Sequence, residues 1–232
     1  MGAMISYQSN GGTSTGYLAV PPVAAETAVP GVILIQEWWG LVGHITAVAD
    51  RLATAGFLAL APDLYHGRTA SEPDEAQKML MGLAMDQAAK DIAGAAAYLA
   101  SRPDGTGAVG AIGFCMGGSL ALWAGTLSQH ITAVVGYYPG IPWARMQPSW
   151  QNYSGKAALI HADEDEGGAA APGIRQARQL ISDAGGDVTV YDYAGTEHAF
   201  FNDDRPEVYH EAAASLSWDR TLTFLHDKLG SS

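Results

Sequence analysis

The stretch Ala108-Val109-Gly110-Ala111-Ile112-Gly113-Phe114-Cys115-Met116-Gly117-Gly118-Ser119-Leu120 leaves this chain little freedom in how it folds. An apolar run ends at a glycine, and a helical pattern with Leu120, Ala124 and Leu127 on one face begins at Met116. Between them stands the chain's single cysteine, flanked by Gly113 and Gly117. A strand that turns this sharply into a helix strains its corner residue and pushes that side chain outward. Bulk at the flanking positions would make strand and helix collide. Cys115 is therefore the candidate nucleophile. The free N–H groups and positive dipole end of the following helix favour its thiolate. The competing reading is a small buried hydrophobe, and a strand, Gly, Cys, Gly, helix context argues against it.

The rest of the chain supplies the sheet that such a turn requires. Ile5–Ser9 and Thr13–Val20, joined through Asn10-Gly11-Gly12 and closed by Pro21-Pro22, read as an edge hairpin. Gly31-Val32-Ile33-Leu34-Ile35, Phe57–Ala61, the run before Cys115, Ala133–Tyr138, Ala157–His161 and Val188–Tyr193 read as strands. Helical spacing links them: Leu41 to Leu52 ending at Gly56, a long region from Pro73 through Leu99 with Gly82 and Gly94 as possible breaks, the Met116 helix, a helix led by Pro172, and a last one from about Pro206. Pro139 to Gly155, with Trp143 and Trp150, reads as an ordered loop or short cap. Strands alternating with helices predict an α/β fold with a mostly parallel sheet covered on both faces. Residues 1–232 are expected to form one domain, with Met1-Gly2-Ala3 before Met4 set aside as an expression scar.

Several function classes are disfavoured. Twelve basic against twenty-four acidic residues give a net charge of -12, a poor match for nucleic acid or anionic membrane. One cysteine excludes an internal disulfide framework and fits a reducing compartment. With no secretory signal and no apolar run of membrane-spanning length, a soluble cytoplasmic protein is expected, and Asn152-Tyr153-Ser154 is an idle glycosylation match. Gly105-Thr106-Gly107-Ala108-Val109-Gly110 spells a dinucleotide fingerprint but precedes a strand, whereas a phosphate cradle follows one. No cofactor and no metal are expected, and the oligomeric state is expected to be a monomer or small homo-oligomer.

In parallel sheets chemistry gathers beyond the carboxyl ends of the strands. Two such loops follow the cysteine: Asp163-Glu164-Asp165-Glu166, then Gly195-Thr196-Glu197-His198-Ala199-Phe200. Nucleophile, acid and histidine in that order suit a triad in which His198 moves the proton and a carboxylate orients the ring. Asp165 is the preferred carboxylate because it lies deeper in the loop, with Asp163 the alternative. Metal binding by His161, Asp163 and Asp165 is a minor reading, since the spacing is undefined. The backbone N–H groups of Met116 and Trp38 are the candidate oxyanion donors. Glu37, in the same loop as Trp38, would oppose a nearby thiolate unless it partners the sulfur or points away.

With these residues placed, the chain resembles the dienelactone hydrolase, or carboxymethylenebutenolidase, group of α/β-hydrolases. The likeness runs through Gln36-Glu37-Trp38-Trp39-Gly40, Ala61-Pro62-Asp63-Leu64-Tyr65, Gly113-Phe114-Cys115-Met116-Gly117-Gly118 and Glu197-His198-Ala199-Phe200. It implies an α/β-hydrolase fold and a Cys115, Asp165, His198 triad that opens a small ester or lactone through an acyl-enzyme. It also implies that Glu37 holds the resting cysteine. Members of the family bind a substrate carboxylate with arginines, but the matching stretches here read Asp74-Glu75-Ala76-Gln77-Lys78 and Asn202, and neither Arg68 nor Arg205 aligns with them. Trp39, Tyr65, Tyr138, Trp143, Phe200 and Arg68 are the expected substrate-binding side chains, with Trp38 and Phe201 also in the strand-end loops. The other readings are a non-catalytic small-molecule binder on the same fold and a hydrolase of a thioester or carbon–halogen bond.

Overall fold

The computed structural model describes residues 2–9, 11–22, 27–140 and 142–230. Strands β1 (Ala3–Ser9), β2 (Gly12–Ala19), β3 (Val29–Ile35), β4 (Leu58–Pro62), β5 (Gly105–Phe114), β6 (Ile131–Tyr137), β7 (Ala157–Asp163) and β8 (Asp187–Tyr193) form one sheet in the order β1-β2-β4-β3-β5-β6-β7-β8. The hairpin strands are antiparallel to each other and β2 is antiparallel to β4. From β4 onward every neighbour is parallel.

The apolar strands are central for the reason their composition suggests. β3 has no polar side chain to present to water, and all seven of its residues are buried. Its alternation decides which layer each residue feeds: Ile33 and Ile35 pack with α3 (Met85–Ala100), α4 (Met116–Leu127) and α5 (Pro172–Asp183), while Val32 and Leu34 pack with α1 (Gly43–Thr54) and α6 (Glu211–Leu229). The chain moves from β3 to β4 and then crosses back past β3 to β5. The strand order therefore reverses between β3 and β5, which opens a crevice above their carboxyl ends.

Some boundaries differ from the sequence expectation. The long region from Pro73 is two helices, α2 (Pro73–Met81) and α3, separated at Gly82. Gly94 does not break α3. It lets α3 press against β1, where a Cβ would strike the Gln8 carbonyl at 2.7 Å. The last helix starts at Glu211, not near Pro206, because the His210 side chain caps it by accepting from the Ala213 N–H at 3.2 Å. Only β1 of the hairpin is an edge strand, since β2 is covered by β4. Ala3, set aside as part of a scar, is the first residue of β1 and pairs with Leu18, and the Gly2 N–H reaches Asp50 Oδ1 at 2.9 Å. Asn10 of the turn and Met1 lie outside the described residues. The fingerprint-like glycines from Gly105 to Gly110 lie within β5, away from any strand-to-helix turn.

Candidate active site

Cys115 sits between β5 and α4 with φ 56° and ψ -118°, a conformation that costs a non-glycine residue on the order of 1–3 kcal/mol. Close packing enforces it. A Cβ on Gly113 would overlap the Gly117 carbonyl, one on Gly117 would overlap the carbonyls of Ile35 and Gln36, and one on Gly118 would overlap that of Tyr137. The helix start is thus wedged against the ends of β3 and β6, with the Cys115 N–H bonded to the Tyr137 carbonyl at 3.1 Å. Met116 is the first residue of α4, so its N–H has no carbonyl of its own helix to meet. Trp38 opens the turn closed by the Gly40 N–H on the Glu37 carbonyl at 3.2 Å, and both Trp38 and Met116 line the cavity over the sulfur.

His198 comes to Cys115 from the loop after β8. Its Nδ1 lies 3.3 Å from Asp163 Oδ2 and equally 3.3 Å from Glu166 Oε1. Burial disfavours its charge, but Asp163, Cys115 and Glu166 together outweigh that, and its pKa is pushed up to about 12. The carboxylate opposite the ring is therefore not the expected Asp165, which is exposed and joins the neighbouring loop only through its backbone N–H to the Thr196 carbonyl at 3.3 Å. The cause is strand length. β7 runs two residues beyond His161, so Asp163 is its last residue, buried and paired with Tyr193, while the tight turn that follows carries Asp165 outward. Asp163 Oδ1 holds that turn by accepting from the Glu166 N–H at 2.8 Å, which leaves Oδ2 in ion-pair contact with His198 Nδ1 at 3.3 Å, without the alignment of a hydrogen bond.

Glu37 is buried at the end of β3, and burial raises its pKa, with the charges of His44, His198 and Arg205 and the Asn202 hydrogen bond working the other way. Its Oε2 accepts from Asn202 Nδ2 at 2.8 Å, while Oε1, also buried, has no hydrogen-bond partner among the described residues. Cys115 and His198 line the same cavity, and Cys115 is among the groups that raise the His198 pKa. The resemblance gave the resting cysteine to Glu37, whereas here Glu37 is tied to Asn202.

These groups enclose a cavity of about 280 Å³ lined by Glu37, Trp38, Trp39, Leu80, Cys115, Met116, Gly140, Glu166, His198, Ala199 and Arg205. Of the expected substrate-binding side chains, Trp39 lines it. Tyr138 and Phe200 do not. Tyr138 is buried behind His198 with ring centroids 5.0 Å apart, and Phe200 is wholly in the core. Tyr65 lies beneath the site, its hydroxyl donating to Met116 Sδ at 3.4 Å, and with Arg68 it lines a separate pocket. Trp143 lines an adjoining groove. Arg205 was considered only for its charge. It reaches the cavity beside Trp39, with its guanidinium carbon 6.0 Å from that ring and its Nε on Glu207 at 2.9 Å. Nothing in its sequence neighbourhood signals that placement, because the turn containing Ala199 at φ 70° sets it.

His161 is excluded as a ligand: its Nδ1 meets the Tyr193 hydroxyl at 2.7 Å and its Nε2 the Thr221 hydroxyl at 2.9 Å, deep in the core. Among the described residues one group has metal-ligand proximity, Asp163, Glu166 and His198, which are the histidine and the two carboxylates beside it. No helix among the described residues is long and apolar enough to cross a membrane.

The model of the Dienelactone hydrolase family matches residues 15–229. Protein usf of Aquifex pyrophilus is 34% identical over 242 residues, covering 99% of this chain and 100% of that protein. A carboxymethylenebutenolidase of Pseudomonas putida is 28% identical over 233 residues, covering 95% of this chain and 94% of the enzyme. Among solved structures, a dienelactone hydrolase-like promiscuous phosphotriesterase from metagenomic libraries superposes with a TM-score of 0.84 at 21% identity, covering 99% of both chains, and shares the fold.

Proposed function

The chain belongs to the dienelactone hydrolase family of α/β-hydrolases, and from that premise we propose that it cleaves small esters or lactones with Cys115 as nucleophile, His198 as proton carrier and Asp163 as the carboxylate that orients it. The observation that carries this reading is that Cys115 at the end of β5 and His198 after β8 line one cavity of about 280 Å³ with Trp38 and Met116, while Asp163 at the end of β7 stands behind the histidine, 3.3 Å from its Nδ1.

The thiol proton passes to His198, giving a thiolate and imidazolium that Asp163 and the N-terminus of α4 both favour. The sulfur attacks the carbonyl carbon, and the N–H groups of Trp38 and Met116 meet the developing oxyanion. Collapse of the tetrahedral intermediate breaks the C–O bond, and the imidazolium protonates the departing alkoxide. Water, deprotonated by His198, then attacks the thioester; the acid leaves and the thiol is restored. The sum is ester plus water to acid plus alcohol.

Cys115→Ala and His198→Ala are each expected to lower kcat/KM on p-nitrophenyl acetate by at least about 10³-fold. Because Cys115 is the chain's single cysteine, iodoacetamide should add one adduct by mass spectrometry in step with loss of activity. Full turnover by Cys115→Ala would end this reading, and tight ester binding without product release would favour the binder.

A further inference from the structure

We propose that the groove between the 139–150 segment and the start of α5 is a second subsite, built to receive an uncharged apolar arm on the alcohol side of the ester; it rests on the hydrolase reading above. The groove is a concavity of about 800 Å³, against about 280 Å³ for the catalytic cavity, and the two share Gly140 and Glu166 as a common wall. A catalytic cavity that small falls at the lower end of the range for small-molecule sites, whereas the pair together accommodate an extended molecule.

The direction of the arm follows from the chemistry. The alcohol oxygen must approach His198 to be protonated as it leaves, so the alcohol side of the substrate lies on the histidine's flank. Gly140 is on that flank. A Cβ there would stand 3.6 Å from Glu166 Oε2 and 3.9 Å from His198 Cε1, so a larger side chain would project into the passage that the glycine leaves open.

The lining fixes the ligand class. Trp150, the exposed edge of the largely buried Trp143, Pro139, Pro142, Pro148 and Pro172 make most of the lining apolar, with Gln147 and Gln176 as its uncharged polar members. The Trp143 indole N–H is spent on the Gly173 carbonyl at 2.8 Å, and the two indoles meet edge to face at 5.2 Å, so both offer apolar surface to an occupant. Residues 142–152 are anchored from behind, by Arg145 on the Leu80 carbonyl at 3.2 Å and by Asn152 on the Thr126 carbonyl at 2.8 Å. The wall therefore stands ready without an ordering step. Glu166 is the one ionisable side chain among the described lining residues, and it opposes a second carboxylate.

Acetate esters of alkanols test this, because the acyl group and the chemistry stay constant while the arm changes. Hexyl acetate adds four methylenes to ethyl acetate, and each methylene withdrawn from water is worth about fourfold, so the wild-type kcat/KM ratio of hexyl to ethyl is expected to exceed about tenfold. Gly140→Val, which closes the passage, and Ala144→Trp, which fills the groove from its far side, should each bring that ratio toward unity. The ratio divides out any change in the catalytic groups. The anion 6-acetoxyhexanoate should be poorer than hexyl acetate by about tenfold, a gap that Glu166→Gln should narrow. A hexyl to ethyl ratio near one in the wild type, an unchanged ratio in both blocking variants, or an anion as good as the neutral ester would each overturn the subsite. Failure of the wild type to hydrolyse any ester would instead overturn the hydrolase reading beneath it.

Discussion

Replacing the carboxylates around His198 one at a time separates three acids that lie within four residues of one another. Asp163 and Glu166 stand at the same 3.3 Å from Nδ1, but the Asp163 side chain is 1% exposed and that of Glu166 is 48% exposed. At 3.3 Å a unit charge is worth about 5 kcal/mol to the imidazolium at an effective dielectric of 20, and about 1.3 kcal/mol in a water-like one. The buried acid therefore carries most of the stabilisation. Asp163→Asn keeps the shape and the Oδ1 that accepts the Glu166 N–H, so the loss is mainly of charge and ring orientation. Glu166 contributes equally before and after the substitution and cancels, so the loss is that of Asp163, about 5 kcal/mol, or between about 10³- and 10⁴-fold in kcat/KM. Glu166→Gln should cost about tenfold on a neutral ester, and Asp165→Asn, which removes an exposed charge, less than twofold. Initial rates on p-nitrophenyl acetate, with circular dichroism to confirm folding, read all three. If Asp165→Asn lost as much as Asp163→Asn, or Asp163→Asn stayed within tenfold of the wild type, the assignment of roles would be wrong.

Two further outcomes concern the scaffold. Burial, with the Arg220 charge second, pushes His161 down to about 3. The unfolded chain takes up that proton near 6.5, so this stability is fully present above pH 6.5 and is lost as the pH falls toward 3. Urea midpoints should drop steadily from pH 6.5 to 4, with a shallower slope in His161→Gln; parallel slopes would contradict it. Gly118→Ala places a Cβ against the Tyr137 carbonyl and should lower stability by about 2–3 kcal/mol, read as a fall in Tm. An unchanged Tm would mean that strand and helix separate more easily than their packing indicates.

The parts of the fold that were legible from the sequence were those in which one local demand decides the answer. The glycines around Cys115 admit hardly any other backbone path, and β3 admits little besides a strand buried on both faces. That Cys115, the acidic loop and His198 come to one region could be read because each follows a strand and all such loops gather at one end of a parallel sheet. What escaped is set by tertiary partners. Asp163 and Asp165 are both acids in one short loop, and the choice between them turned on β7 extending alongside β8 as far as Tyr193. Aromatic residues after strands gave no sign of which way they face. Phe200 and Tyr138 packed inward behind His198, while Trp143 turned to a neighbouring groove. The start of α6 moved by a turn because a histidine cap, absent from the usual capping residues, ends the preceding loop.

Glu37 illustrates how a conflict visible in the sequence is relieved by burial. A carboxylate in the loop beside a catalytic thiol raises the free energy of the thiolate, and the dipole of α4 alone is a modest counterweight of less than about 2 kcal/mol. The structure places that carboxyl where water cannot solvate its charge, and burial raises its pKa. Asn202 donates to one oxygen at 2.8 Å and holds the group in place, while the other oxygen is buried with no hydrogen-bond partner among the described residues. Asn202, near the position for which the resemblance implied an arginine, donates to Glu37 instead.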